Sequence, residues 1–574
     1  MSRDIHAVAN SWLNSNIEEA EKEEIRSLLN NEDALAEAFY KDLEFGTGGL
    51  RGIMGIGSNR INKYTIGMAT QGLANYLNKT YPDKQVKVAV AFDSRNNSQF
   101  LASIVADVFS ANNIKVYLFD ELRPTPELSF TIKHLGCDSG VVLTASHNPK
   151  EYNGYKAYWN DGAQLVAPHD KNVIAEVNAI KGIDDVKFDR NSDLVEIIGE
   201  NIDNLYLDKV VGQALSTESV KNQNKISIVY SPIHGTGYRL VPNCLKRMGF
   251  ENIHLVEEQS IPNGNFPTVI YPNPEEKEAL NLAIEKAKKV NAELILATDP
   301  DSDRVGIAIK DNTGEYILLN GNQTGSLLTY YVLKRWDELQ KFKGNECVIK
   351  TIVTTGLIND IAAHYNVKCY DTLTGFKFIA SLIKKLEGKE QFVVGGEESY
   401  GYMIGDFVRD KDAVASCAMI AEMCAYTADT GISMYEFLVE MYTKFGFYKE
   451  RLISITKKGI KGSEEISQMM SDFRANPPKS FAGSKVSKIS DYQSSKALLT
   501  DSGKSEELDF PKSNVLQFNT IDGYKISVRP SGTEPKIKFY LSANTKLNSA
   551  NDFEKVSAEV DTLLDKLEAD LHLN

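Results

Sequence analysis

The chain repeats one local pattern several times: an apolar, strand-like run, then a helical segment, then another apolar run. This alternation is typical of α/β units, in which helices cover a mostly parallel sheet. It begins with VKVAVAFD (86–93), starts again at KISIVYSPIHGTG (225–237), and starts a third time near Gly321. A chain of 574 residues is also too long for one hydrophobic core. The sequence therefore predicts three tandem, related α/β domains.

The segment from about Phe447 onward does not continue this pattern. It contains a Ser/Lys-rich, low-complexity stretch (480–505), the strand pair NVLQFNTIDGYKISVRPSG with an Asp-Gly turn, and a charged C-terminal helix. We predict a smaller C-terminal α+β domain here. A polar patch around 201–219 marks the first boundary, and the predicted domain ranges are 1–205, 206–321, 322–446 and 447–574.

Composition and charge narrow the class of protein. With 42% apolar and 25% charged residues, the chain has the composition of a soluble globular protein. Its net charge of −14 argues against nucleic-acid binding, which usually needs a basic surplus. The six cysteines form no CxxC pair, no apolar run could span a bilayer, and the N-terminal segment lacks a signal-peptide core. We therefore expect a cytoplasmic protein without a membrane partner.

The segment DPDSDR (299–304) follows the apolar run AELILATD and carries three carboxylates at alternate positions. Alternate aspartates at a strand end can converge their oxygens on one hard divalent cation. An EF-hand would need glycine at loop position 6 and glutamate at position 12, where this chain has Arg304 and Lys310. The motif favours Mg²⁺ over an EF-hand site, and the structural alternative is an acidic turn.

The segment TASHNP (144–149) places Ser146 at the end of another predicted strand. A serine beside a metal suggests phosphoryl chemistry, whereas a serine alone is more often a helix cap. The context is not GxSxG, so an esterase is not supported. Because neighbouring residues after a strand usually diverge, a dyad of Ser146 with His147 is not favoured. Lys156 of NGYK could reach a phosphate, or it could be a solvated surface lysine.

Three further segments are suited to polyol and phosphate binding. GEESYG (396–401) offers acidic and hydroxyl side chains to sugar hydroxyls, although alone it could be a surface turn. RPSGTEPK (529–536) combines an arginine with a turn whose backbone N–H groups can approach an anion. FGTGGLRG (45–52) is similar, or it is a flexible loop. Polar loops on four parts of the chain suggest one site between domains.

In chain order, TASHNP with NGYK, DPDSDR, GEESYG and RPSGT resemble the four signature loops of the α-D-phosphohexomutase superfamily. FGTGGLRG resembles the superfamily's N-terminal FGTSGLRG, with Gly48 where serine is usual, and the resemblance runs from about residue 40 to 545. GEESYG and the later RDKD (409–412) are similar to the phosphoglucomutase branch, which also contains phosphopentomutases and glucose-1,6-bisphosphate synthases. The phosphomannomutase branch usually has GEMSGH and the phosphoglucosamine mutases GEQSGH.

The resemblance implies the fold and a role for each site residue. The four domains would enclose a central cleft, and each would contribute one loop to it. In chain order, these would be the phosphoserine loop, the metal-binding loop, the sugar-binding loop and the phosphate-binding loop. Ser146 would be the phosphoserine and would bind one Mg²⁺ per subunit together with Asp299, Asp301 and Asp303. The remaining implied residues are Lys156, Arg304, His147, Arg51 and Lys377 around the transferring group, Glu397 and Ser399 for the sugar, and Arg529, Ser531, Gly532 and Thr533 for the phosphate.

The implied activity is that of an isomerase acting on small sugar phosphates. It would interconvert α-D-glucose 1-phosphate and glucose 6-phosphate, with glucose 1,6-bisphosphate as intermediate and activator. Lys156 is the predicted general acid/base. A phosphopentomutase, a phosphomannomutase or a glucose-1,6-bisphosphate synthase would use the same motifs. A non-catalytic binder of sugar phosphates is a further alternative, but such a protein has no need for both the serine and the three aspartates.

Overall fold

The computed structural model describes residues 3–46, 48–457, 459–531 and 536–573, with the backbone only at 459 and 460. It contains four sheets that follow one another along the chain. Three are mixed α/β sheets, and the fourth is a larger antiparallel sheet near the C-terminus. The predicted fold class, three tandem α/β domains and a smaller C-terminal α+β domain, is confirmed.

The first α/β domain has a six-stranded sheet in the order β1-β5-β4-β2-β3-β6. Its strands are β1 (Gly49–Ile53), β2 (Lys87–Phe92), β3 (Lys115–Phe119), β4 (Ser139–Leu143), β5 (Tyr152–Trp159) and β6 (Val195–Ile198). Its helices are α1 (Ile5–Leu13), α2 (Glu19–Leu28), α3 (Glu32–Phe39), α4 (Lys63–Thr80), α5 (Ser98–Ala111), α6 (Thr125–Leu135), α7 (His169–Asn178) and α8 (Glu200–Val211), with 3₁₀ turns at Ile183–Asp185 and Ser192–Leu194.

The second α/β domain has a five-stranded sheet in the order β11-β10-β9-β7-β8. Its strands are β7 (Ile228–Ser231), β8 (Ile253–Leu255), β9 (Leu294–Thr298), β10 (Val305–Lys310) and β11 (Tyr316–Leu319). Its helices are α9 (Thr217–Asn222), α10 (Gly237–Met248), α11 (Glu257–Ser260) and α12 (Lys277–Val290). The predicted boundary between 205 and 206 falls inside α8, and the four domain ranges stay predictions.

The third α/β domain has a four-stranded sheet in the order β13-β12-β14-β15. Its strands are β12 (Glu346–Thr351), β13 (Lys368–Thr372), β14 (Gln391–Gly396) and β15 (Tyr402–Ile404). Its helices are α13 (Gly321–Glu338), α14 (Leu357–His364), α15 (Phe376–Leu386), α16 (Ala413–Asp429) and α17 (Met434–Phe445).

The C-terminal domain has an eight-stranded sheet whose path is β16-β23-β22-β21-β18-β19-β20, with β17 paired to β18. Its strands are β16 (Phe447–Thr456), β17 (Ser480–Phe481), β18 (Ser484–Asp491), β19 (Lys496–Leu499), β20 (Lys504–Glu507), β21 (Leu516–Thr520), β22 (Lys525–Pro530) and β23 (Lys536–Thr545). Its helices are α18 (Gly459–Ala475) and α19 (Phe553–Ala569), with a 3₁₀ turn at Ala550–Asp552.

The Ser/Lys-rich stretch 480–505, which the sequence marks only as low in complexity, is ordered as strands of the C-terminal sheet. It forms β17, β18, β19 and the start of β20, and Ala497 and Val486 from this stretch are buried. Serines share the buried positions of β18 with Val486, since Ser484 and Ser490 are buried as well.

The three α/β sheets share one strand order. In each, a run of three parallel strands ends in an antiparallel strand: β3-β2-β4-β5, β8-β7-β9-β10 and β13-β12-β14-β15. The central strands β4 and β9 are buried at every residue, as expected when helices cover both faces of a parallel sheet. The loops after β4, β9 and β14 therefore occupy equivalent places in three related domains.

Two further sequence expectations can be compared with the structure. All six cysteines lie within the described residues, and none forms a disulfide. Among the described residues, no helix combines the length and the apolarity that crossing a bilayer requires.

Candidate active site

The segments that were singled out in the sequence follow the equivalent strands β4, β9 and β14. TASHNP connects β4 to β5, DPDSDR connects β9 to β10, and GEESYG connects β14 to β15. Each loop thus leaves the carboxyl end of a parallel strand, which is where open α/β sheets bind ligands. Hydrogen bonds between the domains bring these loops together.

After the roles that the sequence predicts, TASHNP (144–149) is called the serine loop, DPDSDR (299–304) the metal loop and GEESYG (396–401) the sugar loop. Ser146 lies at the metal loop of the second domain. Its hydroxyl donates to Oδ2 of Asp299 over 2.9 Å, and its backbone N–H donates to the Thr144 hydroxyl over 2.8 Å. Ser146 has a left-handed backbone with φ of 53° and is 3% exposed. This conformation is uncommon for a residue with a side chain and is found most often at sites that the surroundings hold tightly.

His147 does not diverge from Ser146, contrary to the sequence expectation. Its Nδ1 lies 3.1 Å from the Ser146 hydroxyl oxygen, because the left-handed backbone at Ser146 turns both side chains the same way. Burial lowers the pKa of His147 well below its usual value, and Arg304 and Arg51 lower the pKa further. His147 is therefore neutral at pH 7.

Arg95 supports the serine loop, although the sequence reasoning did not single it out. The guanidinium is buried and donates to four backbone carbonyls, those of Ser146 (2.6 Å), Asn148, Pro149 (2.8 Å) and Tyr152 (3.0 Å). Asp93, at the end of β2, lies 3.3 Å from Nε of Arg95. The Asp-x-Arg spacing after an apolar strand was the only signal of this support in the sequence.

The three aspartates of DPDSDR form a buried cluster. Asp299 and Asp301 are 0% exposed and Asp303 is 1% exposed, and each offers an oxygen within 4.8 Å of the others. Among the described residues, this is the one group of three or more His, Cys, Asp or Glu side chains that are close enough to share a metal ion.

Protein donors bind both oxygens of Asp299, whose Oδ2 accepts from Ser146, but only one oxygen each of Asp301 and Asp303. Oδ1 of Asp299 accepts from the backbone N–H groups of Asp303 and Arg304. Oδ2 of Asp301 accepts from Thr125 and Lys156, and Oδ2 of Asp303 lies 3.0 Å from Lys156 and 3.2 Å from Lys411. The opposite oxygens, Oδ1 of Asp301 and Oδ1 of Asp303, are buried without a hydrogen-bond partner. Orphaned buried carboxylate oxygens beside a hydroxyl fit a hard divalent cation.

The charges of this cluster act strongly on one another. Burial raises the pKa of Asp299 well above its usual value, and the neighbouring carboxylates of Asp301 and Asp303 raise it further. Burial alone would also raise the pKa of Asp303, but the ammonium groups of Lys156 and Lys411 outweigh it and hold this pKa far below its usual value. For Lys156, burial opposes the charged form, but Asp301 and Asp303 dominate and raise its pKa.

Lys156 and Lys411 thus contact the metal loop and make no hydrogen bond to Ser146. Lys411, from the RDKD segment of the third domain, also lies 3.1 Å from Asp410, whose other oxygen accepts from Tyr158 of β5 over 2.7 Å. From the sequence, RDKD indicated only the phosphoglucomutase branch of the superfamily. Lys411 was not predicted to be a site residue. An adjacent Asp-Lys-Asp run carries no signal of its own, because such runs are common on surfaces.

Arg304, the last residue of DPDSDR, lies between Asp303 of the cluster and Glu275. One guanidinium nitrogen pairs with Glu275 at 2.5 Å, and Nε is 3.9 Å from Oδ1 of Asp303 without a hydrogen-bond partner. Burial would lower the pKa of Arg304, but Glu275 and Asp303 outweigh it and raise the pKa. A fixed positive charge therefore faces the metal loop, and Glu275 is a partner that the sequence did not predict.

The loop GEESYG lies against the start of α13 and α15. Glu397 is buried and accepts the backbone N–H of Gly375 over 2.8 Å, and burial raises its pKa despite the nearby Lys411. Glu398 accepts from the hydroxyls of Thr351 and Thr354, and Ser399 is half-buried. A Cβ on Gly321 would come within 1.8 Å of the Glu398 carbonyl, so only glycine permits this approach.

The phosphate segment is only partly described. Arg529 lies on β22 opposite Lys538 of β23, and the backbone N–H of Ser531 donates to the Lys536 carbonyl over 2.7 Å. Gly532 and Thr533 lie outside the described residues. Glu398 and Glu275 act electrostatically on Lys538, so this part of the sheet faces the metal and sugar loops.

Two other predicted residues lie at the edges of the site. Arg51 of β1 is opposite Gly154 in the sheet, and its guanidinium is 3.4 Å from the Asn148 side chain of the serine loop. Lys377 is the second residue of α15 and half-buried, and burial lowers its pKa. The structure thus brings Arg51 to the serine loop and Lys377 to the helix that adjoins the sugar loop.

Comparisons with known proteins place this site in a family. Models of the phosphoglucomutase/phosphomannomutase α/β/α domains I, II and III match residues 42–183, 204–314 and 320–445. The phosphoglucomutase of Staphylococcus haemolyticus (strain JCSC1435) is 36% identical over 524 residues, which are 91% of this chain and 93% of that relative. This chain belongs to the α-D-phosphohexomutase superfamily. Its function is that of a phosphoglucomutase, an isomerase of carbohydrate metabolism.

Other members of the superfamily agree in extent and fold. The phosphoglucomutase of Staphylococcus aureus (strain MRSA252) is 36% identical over 92% of this chain and 93% of its own length. Solved structures of a phosphoglucomutase/phosphomannomutase family protein from Burkholderia thailandensis and of parafusin, a phosphoglucomutase from Paramecium, superimpose with TM-scores of 0.66 and 0.67. Each covers 92% of this chain and 96% of its own, at 18% and 17% identity, and so supports the fold.

Phosphohexomutases of this superfamily depend on a metal ion, and this chain has a buried cluster of three aspartates that could hold one. The serine loop, the metal loop and the sugar loop are contributed by three successive domains.

Proposed function

We propose that this phosphohexomutase interconverts α-D-glucose 1-phosphate and glucose 6-phosphate through a phosphoserine at Ser146 and a glucose 1,6-bisphosphate intermediate. One observation carries the proposal: the Ser146 hydroxyl lies 2.9 Å from Oδ2 of Asp299, at a buried cluster of three carboxylates from another domain. A protein that only binds sugar phosphates needs no hydroxyl there. Glucose is the proposed sugar because the named relatives are phosphoglucomutases.

Mg²⁺ is the proposed metal, one ion per subunit. Oδ2 of Asp299 and the unpartnered Oδ1 atoms of Asp301 and Asp303 would hold it, together with an oxygen of the phosphorylated Ser146. Mg²⁺ takes hard oxygen ligands at short distances and is commonly bound by a few carboxylates and a phosphate. When bound, the ion neutralises charge on the transferring phosphoryl group.

In the first half-reaction, the bond between phosphorus and Ser146 Oγ breaks, and phosphorus bonds to the free 6-hydroxyl oxygen of glucose 1-phosphate. In net terms one proton moves from the sugar hydroxyl to Ser146 Oγ. We assign Lys156 to this transfer as general acid/base, because its ammonium group lies 2.7 Å from Oδ2 of Asp301 in the carboxylate cluster that Ser146 contacts. Neutral His147, whose Nδ1 lies 3.1 Å from Ser146 Oγ, is placed to hydrogen-bond this oxygen and orient it.

In the second half-reaction, the bisphosphate turns within the cleft, the bond between its 1-phosphorus and the sugar O1 breaks, and phosphorus bonds to Ser146 Oγ. In net terms the serine proton moves to O1, and glucose 6-phosphate is released. Glu397 and Ser399 are proposed to hold sugar hydroxyls. Arg529, Ser531, Gly532 and Thr533 are proposed to bind the non-reacting phosphate in both orientations, and a hinged C-terminal loop closes over it. Arg304, Arg51 and Lys377 supply positive charge around the transferring group. Added glucose 1,6-bisphosphate acts as activator by phosphorylating Ser146.

A coupled assay tests the function. Glucose 1-phosphate, mannose 1-phosphate and ribose 1-phosphate are compared as substrates, with and without glucose 1,6-bisphosphate as primer. We expect the highest kcat/KM for glucose 1-phosphate and a requirement for the primer when Ser146 is dephosphorylated. A higher kcat/KM for mannose or ribose 1-phosphate would replace the proposed sugar. Bisphosphate formation from 1,3-bisphosphoglycerate without mutase turnover would identify a synthase.

A further inference from the structure

The metal loop of the second domain is held by a residue of the first domain, Thr125. Its backbone N–H donates to the Asp301 carbonyl over 2.9 Å, and its hydroxyl donates to Oδ2 of Asp301 over 2.8 Å. Thr125 is the first residue of α6 and is fully buried. Both its backbone and its side chain therefore contact the same aspartate.

Thr125 is itself held rigidly. Pro124 and Pro126 flank it and restrict the backbone on both sides. The preceding Arg123 is 1% exposed, donates its backbone N–H to the Phe92 carbonyl over 3.0 Å and pairs with Asp203 over 2.6 Å. The Thr125 hydroxyl thus comes from a fixed segment of the first domain.

The two oxygens of Asp301 have different environments. Oδ2 accepts from the Thr125 hydroxyl and from Nζ of Lys156, over 2.8 and 2.7 Å, whereas Oδ1 is buried without a partner. A carboxylate can rotate about its Cβ–Cγ bond, and two donors on one oxygen remove that freedom. Oδ1 is then the oxygen that remains for a metal ion.

We propose that Thr125 is a positioning residue for the metal: it orients Asp301 so that a single oxygen of this carboxylate coordinates the ion. The inference rests on the proposed metal site. Hydrogen-bond partners of metal ligands usually contribute 10- to 100-fold to metal affinity or activity. Because Thr125 belongs to the first domain, it also makes metal binding depend on the docking of the domain that carries Ser146.

Isothermal titration of MgCl₂ into the dephosphorylated full-length protein tests this role. Thr125→Val removes the hydroxyl but keeps the shape of the side chain and the backbone hydrogen bond. We expect this variant to bind Mg²⁺ about 10-fold more weakly than the wild type. Thr125→Ser keeps the hydroxyl and should restore the affinity to within about two-fold. Thr125→Ala introduces a smaller side chain than Thr125→Val and should weaken Mg²⁺ binding to the same extent. It provides the same test if the Thr125→Val variant does not fold.

Thr131 provides a matched control on the same helix. It is equally buried, and its hydroxyl donates to the Glu127 carbonyl over 2.7 Å, away from the aspartates. Thr131→Val should therefore leave the Mg²⁺ affinity unchanged. Unchanged affinity in Thr125→Val and Thr125→Ala, or an equal loss in Thr131→Val, would overturn the inference. Absence of Mg²⁺ binding by the wild-type protein would instead overturn the proposed metal site.

Discussion

The hydroxyl of Ser146 donates a hydrogen bond of 2.9 Å to the carboxylate of Asp299, a residue 153 positions later in the chain. The two residues come from different sheets, and each lies in the loop after an equivalent parallel strand. Repetition of one domain thus provides both halves of the centre: a hydroxyl from the first copy and a carboxylate cluster from the second. The proposed catalytic centre consequently depends on how these two domains pack.

Replacing Ser146 with alanine should abolish turnover and leave substrate binding measurable. We expect the rate to fall by at least about 10⁴-fold, as it does when other enzymatic nucleophiles are removed. Glucose 6-phosphate binding by calorimetry should persist, because other loops hold the sugar phosphate. Ser139→Ala is the control, since this buried serine of β4 bonds only the Tyr158 carbonyl. Retained mutase activity in Ser146→Ala would refute the phosphoserine.

Asp301→Asn should weaken Mg²⁺ binding by at least about 10-fold, because an amide is a poorer ligand for a hard cation. The activity should fall in parallel and recover partly at high Mg²⁺ concentration. The exposed Asp33 of α3 offers a control, because Asp33→Asn removes the same charge far from the cluster. If Asp301→Asn had wild-type metal affinity and activity, Asp301 would not be a ligand.

Arg95→Lys should lower kcat about 100-fold and change the KM for glucose 1-phosphate little. A lysine keeps the charge but cannot donate to four carbonyls at once, so the serine loop would shift, and shifts of about 1 Å in reacting groups can cost about 100-fold in rate. Arg190→Lys, at a half-buried ion pair with Asp107, is the comparison. A kcat within about two-fold of wild type would show that the loop holds its shape without Arg95.

The stability of the protein should depend on Lys525 at alkaline pH. Lys525 donates to the carbonyls of Ile352 and Thr354 across the junction of the third and C-terminal domains. Burial lowers its pKa to about 8, and Lys350 contributes to the shift. Between this pKa and the usual 10.5, the unfolded chain binds more protons than the folded chain, so stability should rise with pH in that window.

The measurement is the free energy of unfolding of the wild type and of Lys525→Met from pH 7 to pH 11. The difference between the two should be constant below about pH 8, shift in favour of the wild type up to about pH 10.5, and then level off. Groups common to both proteins cancel in this difference. A difference that does not change with pH would contradict the lowered pKa.

Much of the fold could be predicted because its signals are local. Apolar runs such as those of β4 and β9 reflect burial on both faces of a sheet, and this burial is visible as composition in the sequence. The strands within 480–505 were harder to predict because serine occupies buried positions there: Ser484 and Ser490 are buried like Val486, so apolar and polar residues do not alternate cleanly. His147 was misjudged because the left-handed backbone at Ser146 is a property of the packed loop.

The sequence by itself determined the chemistry of the site: a serine at one strand end, three aspartates at alternate positions after another, and an arginine beside them. Within each motif the residues are close in sequence, so the spacing inside the motif carries the information. Only the tertiary structure decided that Thr125 orients Asp301, that Arg95 holds the serine loop, and that Lys411 contacts Asp303. Such partners lie on elements far apart along the chain, and their contacts exist only because separately folded sheets pack against one another.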